Sequence, residues 1–192
     1  NFIDGISNLL MSYVLIIFLL ILFYLRNYID DADTIANLTY VLTVLLIFNL
    51  FGVIILGDSG SYLLSLFLGL KLIELANSNV LISPYFIVLL LWYPCFELLF
   101  SIIRRLMKGK ESYNPDTKHL HQMLYRFIYS LNNFKQNVNH FLTSFIIIIY
   151  NLISFLIGIN FHNHTETIIY IVATNIVVYL VLYNFLKIKL QK

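Results

Sequence analysis

The sequence predicts an all-helical, polytopic integral membrane protein of about six spanning helices, with both chain ends on the cytoplasmic side. Three observations predict it. The 192 residues are 60% apolar and only 11% charged, where soluble domains run near 25% charged, and mean hydropathy is +0.84. Six apolar runs approach the length needed to cross about 30 Å of hydrocarbon as helices. Ten of the twelve Lys and Arg residues fall in segments that six crossings place on one side.

The runs are residues 8–25, 38–56, 61–76, 82–103, 141–160 and 168–186. All are rich in Leu, Ile and Phe without period-2 alternation, which favours helices over a membrane barrel. The third is short: either it is tilted less, or it begins as a broken helix at the glycines of "GDSGS". Pro84 opens the fourth, where a missing N–H is harmless. Pro94 lies inside it and should kink it. The chain reads as one membrane domain, 1–192, with a cytoplasmic loop over 104–140 containing an amphipathic helix. The start "NFIDG" reads as a loop caught mid-protein, so the chain is expected to be the C-terminal part of a longer one. A single cysteine, Cys95, excludes an internal disulfide framework.

Orientation follows from the cations. Arg104, Arg105, Lys108, Lys110, Lys118, Arg126, Lys135, Lys187, Lys189 and Lys192 share one side, predicted to be cytoplasmic. The other side holds Asp30, Asp31, Asp33, Glu166 and Arg26. That assignment gathers Asp4, Asp58, Asp116, His119 and His121 on the cytoplasmic face, although the basic residues alone fixed it.

Each motif admits two readings. Asp58 in "GDSGS" either caps a helix starting near Ser59 or faces a metal and phosphate at a helix start. Asp4 is a cap or a second polar contact to the same ligand. Asn114-Pro115-Asp116 signals a turn and helix start. His119 and His121 follow, in a stretch whose Leu120, Met123, Leu124, Phe127 and Ile128 could lie on the membrane surface. Two histidines at i and i+2 point to different faces of a regular helix, which argues against zinc. They are surface residues or hydrogen-bond phosphate oxygens. Arg104 and Arg105 serve topology or an anion. Glu97, an intramembrane acid, is a functional candidate by default and is expected to pair with Arg104 or a group outside this sequence. Lys71 and Glu74 read as an i,i+3 pair. His162 and His164 read as solvated. The "NLT" and "NHT" sequons read as chance.

The order "NFIDG", "GDSGS", "P-x-x-E", "RR", "KGKESYNPDTKHLHQ" resembles the polyprenyl-phosphate N-acetylhexosamine-1-phosphate transferases over nearly all of residues 1–140. The resemblance implies an all-helical fold of ten or eleven membrane helices in a bacterial inner membrane. It implies transfer of a sugar-1-phosphate from a UDP-N-acetylhexosamine to undecaprenyl phosphate at the cytoplasmic face, with Mg²⁺, for which Mn²⁺ could substitute. Such reactions begin O-antigen and other lipopolysaccharide and cell-wall glycans. Carried over by position, Asp58 is the metal ligand, and Asp4, Asp58, His119 and His121 form the catalytic set. Asn1, Gly57, Gly60, Ser61, Arg104, Arg105, Asp116 and Gln122 would bind substrate. Pro94 and Glu97 match a "P-x-x-D" pattern, with Glu for Asp. Membrane lipid is the implied surroundings, nucleic acid is not a partner, and a homodimer is compatible.

Three departures stand out. Ser7 replaces an Asp or Asn, Gln122 replaces the last histidine of "H-x-H-H", and the family's earlier Asp-Asp pair is not in this sequence. This stretch alone is expected to be inactive. The rival readings are a degenerate, non-catalytic member, and a lipid or solute transporter half. Transporters place polar sites near the bilayer midplane, whereas these groups are expected at one interface.

Overall fold

A computed structural model of the chain describes residues 8–29, 31–78, 82–107, 118–132 and 134–191. The elements are α1 (Leu9–Tyr24), a 3₁₀ turn (Arg26–Tyr28), α2 (Ala32–Leu50), α3 (Gly57–Ser78), α4 (Pro84–Leu106), α5 (Leu120–Leu131), α6 (Gln136–Ile159) and α7 (Thr165–Leu190). Among the described residues there is no strand. Five helices, α2, α3, α4, α6 and α7, are long and apolar enough to span a membrane. The expected first span exists as α1, but it has only 16 residues. The protein is membrane-embedded and all-α.

Local chemistry sets the boundaries. Ser83 caps α4 by accepting from the Tyr85 N–H at 3.3 Å, and Pro84 follows it. Asp31 caps α2 by accepting from Thr34 at 3.2 Å. That bond, then Lys71, holds the Asp31 carboxyl below its usual range. Lys71 joins Glu74 at 2.8 Å, as expected, and also Asp31 at 3.6 Å, tying α2 to α3. Gly57, at φ +67°, turns the chain into α3 four residues earlier than the apolar run suggests.

The helices alternate between two ends. At one, the Ser83 N–H donates to the His162 carbonyl at 2.9 Å and its hydroxyl meets Thr165 at 2.8 Å. His162 is therefore not the solvated side chain expected. It is half-buried, its ring against Tyr28 and Phe86. At the other end Gly52 lies against Asn137. The described cations Arg104, Arg105, Lys118, Lys135, Lys187 and Lys189 belong to this second, basic end.

α1 is the core helix, with nine buried residues and contacts to α2, α3 and α6. Its tie to α4 is specific. Pro94 has no N–H, so the Leu90 carbonyl four residues earlier lacks its helical donor. The Tyr13 hydroxyl donates to that carbonyl at 2.8 Å. Replacing the donor should strand a buried acceptor at about 1–3 kcal/mol. Tyr13→Phe is therefore expected to destabilise the protein in detergent, and to cost much less when combined with Pro94→Ala, which restores an N–H at position 94. A double-mutant cycle of thermal unfolding measures the coupling; additive effects would refute it.

Candidate functional site

The functional side chains meet where α5 begins. α5 does not lie on a membrane surface, as its amphipathic pattern suggested. Leu120, His121, Met123 and Ile128 are buried, and α5 packs along α6 and α7. Tyr125 stacks on His140 with ring centres 4.5 Å apart, and Leu120 shares a cavity with Ile147. α5 thus runs antiparallel to α6. Its first residue lies opposite a point eleven residues into α6, about 16 Å along at 1.5 Å per residue. α5 thus starts inside the bundle, with His119 and Leu120 buried and Lys118 exposed just before them.

Glu97 of α4 receives that turn. It is 1% exposed. Its Oε1 accepts from the Leu120 N–H at 3.0 Å, supplying the first turn of α5 with an acceptor. The same oxygen lies 3.0 Å from His119 Nδ1. The expected Glu97–Arg104 pair is not what forms. Arg104 instead donates to the Lys118 carbonyl and to the Tyr183 hydroxyl. Both fold the turn onto α4, one through its acid and one through its cation.

The two histidines do not follow the spacing of a regular helix. His119 is the residue before α5, in extended conformation, so it does not follow helical geometry. The two rings stack nearly parallel, 6° apart in plane, with centres separated by 5.4 Å. His121 is fully buried, with Nδ1 3.5 Å from the Tyr93 hydroxyl and a buried Nε2 that no hydrogen bond reaches. Burial depresses its pKa from 6.5 to about 4; Glu97 opposes this and His119 adds to it. At neutral pH His121 is uncharged.

Asp58 sits elsewhere. It is exposed in the first turn of α3, inside the helix rather than capping it. α3 packs on α1 and on the α4 flank bearing Leu91, Pro94, Cys95 and Leu98. Tyr93 and Glu97 look from α4 toward α5 and α7. Asp58 and the histidines therefore share an end of the bundle but occupy different flanks of α4 and different depths. Gly60 lies tight against Leu56, and the buried Ser61 hydroxyl donates to the Gly57 carbonyl at 2.8 Å. Gln122 is half-buried, and Arg105 reaches back to the Ser101 carbonyl at 3.4 Å. Asn1, Asp4 and Asp116 lie outside the described residues, as does Ser7. Among the described residues no three His, Cys, Asp or Glu gather as a metal site.

Two cavities flank the turn. One, of about 570 Å³, is lined by Arg104, Lys118, Arg126 and Lys187 together with Tyr183 and Asn184. The other, of about 250 Å³, is apolar and lies under Leu120 between Tyr93, Ile147 and Tyr179. Sequence reasoning named Arg104 but missed Tyr93, Tyr179 and Tyr183. Tyr179 and Tyr183 are four apart on α7, one turn, and that spacing was the available signal.

These features are found on a chain with named relatives. It is 30% identical over 149 residues, 65% of its length, to the decaprenyl-phosphate N-acetylglucosaminephosphotransferase of Mycobacterium leprae. It is 33% identical over 75 residues to the undecaprenyl-phosphate alpha-N-acetylglucosaminyl 1-phosphate transferase of Thermotoga maritima. The Mycobacterium tuberculosis decaprenyl enzyme is 29% identical over 147 residues. The chain's curated homologues are thus polyprenyl-phosphate N-acetylglucosamine-1-phosphate transferases, in line with the resemblance read from its motifs. The matched stretch spans 37% of the first relative and 24% of the second. No family model and no solved structure matches the chain.

The state of His121 has a consequence in acid. A free histidine binds its proton near 6.5, but His121 resists to about 4. Between those values the unfolded chain holds a proton that the folded protein excludes. Stability is full above 6.5 and falls as pH drops toward 4, by about 3 kcal/mol in total. Unfolding in detergent from pH 7.5 to 4 should show this acid limb, and His121→Phe should flatten it. An equally steep limb in the variant would assign it to other groups.

Proposed function

We propose that the chain carries the catalytic end of a polyprenyl-phosphate N-acetylhexosamine-1-phosphate transferase. An acceptor phosphate oxygen attacks the sugar-bearing phosphorus of a UDP-sugar, a new P–O bond forms, and the bond to the departing UMP breaks. The activity for which the relatives are named supports N-acetylglucosamine as the sugar and a polyprenyl phosphate as the acceptor. The observation that carries the reading is the shared end of the bundle: an exposed carboxylate opens α3 there, and a cation-lined cavity and a carboxylate–histidine pair lie on the same half of α4.

Phosphoryl transfer asks the protein for positioning and charge neutralisation more than for covalent work. Arg104, Lys118, Arg126 and Lys187 supply positive potential at the headgroup end. By the matched motif, His119 and His121 are the histidines assigned to phosphate oxygens, and His119 Nδ1 lies 3.0 Å from the Glu97 carboxylate. Asp58 offers a hard, exposed oxygen, which fits Mg²⁺: that ion is commonly held by one or two carboxylates, substrate phosphates and water. When bound, Mg²⁺ would neutralise pyrophosphate charge. By the matched motifs, Asp4, Asp116 and Asn1 join this set. The basic end faces the cytoplasm of a bacterial inner membrane, by the excess of Lys and Arg there.

The full-length protein tests both statements. Asn caps or opens a helix as well as Asp does, so Asp58→Asn should keep the fold. It should lower UMP release from UDP-N-acetylglucosamine, with undecaprenyl phosphate in detergent, by about 100-fold or more. Normal turnover at ordinary Mg²⁺ would remove Asp58 from the metal site. For topology, a membrane-impermeant thiol reagent applied to intact spheroplasts should label Asn163→Cys and not Lys189→Cys in a Cys95→Ser background. The reverse pattern would invert the orientation.

A further inference from the structure

The cavity of about 570 Å³ collects one cation from each of four segments: Arg104 near the end of α4, Lys118 before α5, Arg126 in α5 and Lys187 near the end of α7. Among the described residues that line it, none is acidic. Like charges around one space repel, and an anion between them relieves that repulsion. The lining is also graded in depth. α4 and α7 both start at the opposite end, where Ser83 meets Thr165, and run toward the basic end. Phe100 lies one turn deeper than Arg104, and Tyr183 one turn deeper than Lys187. Their rings meet edge to face, with centres 4.8 Å apart, and form an aromatic floor below the cations. Ile103 and Met107, 54% and 82% exposed, extend the apolar surface along α4. Arg104 is held in place over that floor. Its guanidinium donates to the Tyr183 hydroxyl and the Lys118 carbonyl, and lies 5.8 Å and 5.5 Å from the ring centres of Phe100 and Tyr183. A cation fixed in this way loses little freedom when an anion arrives.

We propose that this cavity binds the phosphodiester headgroup of an anionic bilayer phospholipid, with a chain of that lipid lying over Phe100, Ile103 and Met107. Basic pockets between membrane helices recognise such headgroups. A nucleotide or a free phosphate would use the cations and leave the apolar half of the lining in water, whereas a lipid covers both. The lipid is a companion of the reacting groups rather than a substrate. At 3.6 residues per turn, the row Phe100, Ile103, Arg104 and Met107 lies on the opposite side of α4 from Pro94, Cys95 and Leu98, which face α3, the helix of Asp58. A phosphodiester brings a single negative charge to four cations, so the filled cavity stays positive. Its binding is therefore compatible with the transferase reading and goes beyond it.

Thermal unfolding of the delipidated full-length protein in detergent reads the site without any activity measurement. Dioleoylphosphatidylglycerol is expected to raise the midpoint saturably, and zwitterionic dioleoylphosphatidylcholine is not. Lys187→Glu tests the place. Each cation near an anionic headgroup contributes about fivefold in affinity, so reversing one charge should weaken binding about 30-fold. Lys187→Arg, which keeps the charge, should bind as wild type. Lys189→Glu makes the same change of net charge two residues on, at a side chain that lies over Phe185 and outside the cavity, and should keep wild-type affinity. Equal weakening by both reversals would reduce the effect to overall charge and overturn the proposal. An equal midpoint shift from phosphatidylcholine, or from glycerol 3-phosphate in place of the lipid, would overturn it too. So would displacement of phosphatidylglycerol by equimolar undecaprenyl phosphate, which would make the cavity the acceptor's. Failure of UMP release, measured separately, would defeat the transferase reading and leave this site standing.

Discussion

The backbone at His119 and Leu120 lies inside an apolar bundle, just past the exposed Lys118, and an unpaired peptide group there costs several kcal/mol. Two side chains of α4 make the excursion tolerable. Arg104 takes the Lys118 carbonyl and Glu97 takes the Leu120 N–H. Everything else at this end follows from that bargain: the depth of His119, the dry packing of His121, and the route of α5 between α6 and α7. The Tyr13 bond to the Leu90 carbonyl is the same solution one helix over, with a proline rather than a turn creating the deficit. α4 thus works as a backbone-repair surface on two flanks. Between its two faces lie the two halves of the candidate site.

The depth of the histidine pair bears on the contrast between enzyme and transporter. The motifs alone suggested that every polar group would lie at one interface. Asp58 does lie at the open start of α3, but Glu97 and His119 are sunk about 14 Å along α4. A buried polar pair at that depth is also what transporters build. The named activity of the relatives and the cation-lined cavity at the basic end weigh toward chemistry.

Much of the fold was legible because membrane helices announce themselves by length and composition. The apolar runs and the cation asymmetry located the helices and their alternation. The Ser83-Pro84 start and the Lys71–Glu74 pair followed from local rules and formed. What was not legible depended on tertiary partners. An amphipathic pattern at Leu120–Leu131 is satisfied equally by a membrane surface or by two neighbouring helices, and only packing chooses. The helical spacing rule failed at His119 because one residue decides whether a position obeys a helix or precedes it. Glu97 was recognised as unusual, yet its partner lay 22 residues away on a turn that local rules do not foresee. On α6 and α7 the sequence held an unused signal. Asn151, Ser154 and Asn175 are buried polar residues in spans, and Asn175 bridges Tyr150 and Ser154 with bonds of 2.7 Å. Polar residues at one-turn spacing in an apolar run mark helix–helix seams.

The shortness of α1 has an effect on the bilayer. Sixteen residues rise about 24 Å, less than the hydrocarbon thickness. A lipid-facing helix of that length would pull the membrane thinner around it or recruit flanking cations to compensate. From Leu9 to Leu22, α1 has no exposed residue. Its length is therefore invisible to lipid, and the perimeter that the acyl chains meet is set by the longer helices around it. The protein can hold a short central helix without any cost in bilayer deformation.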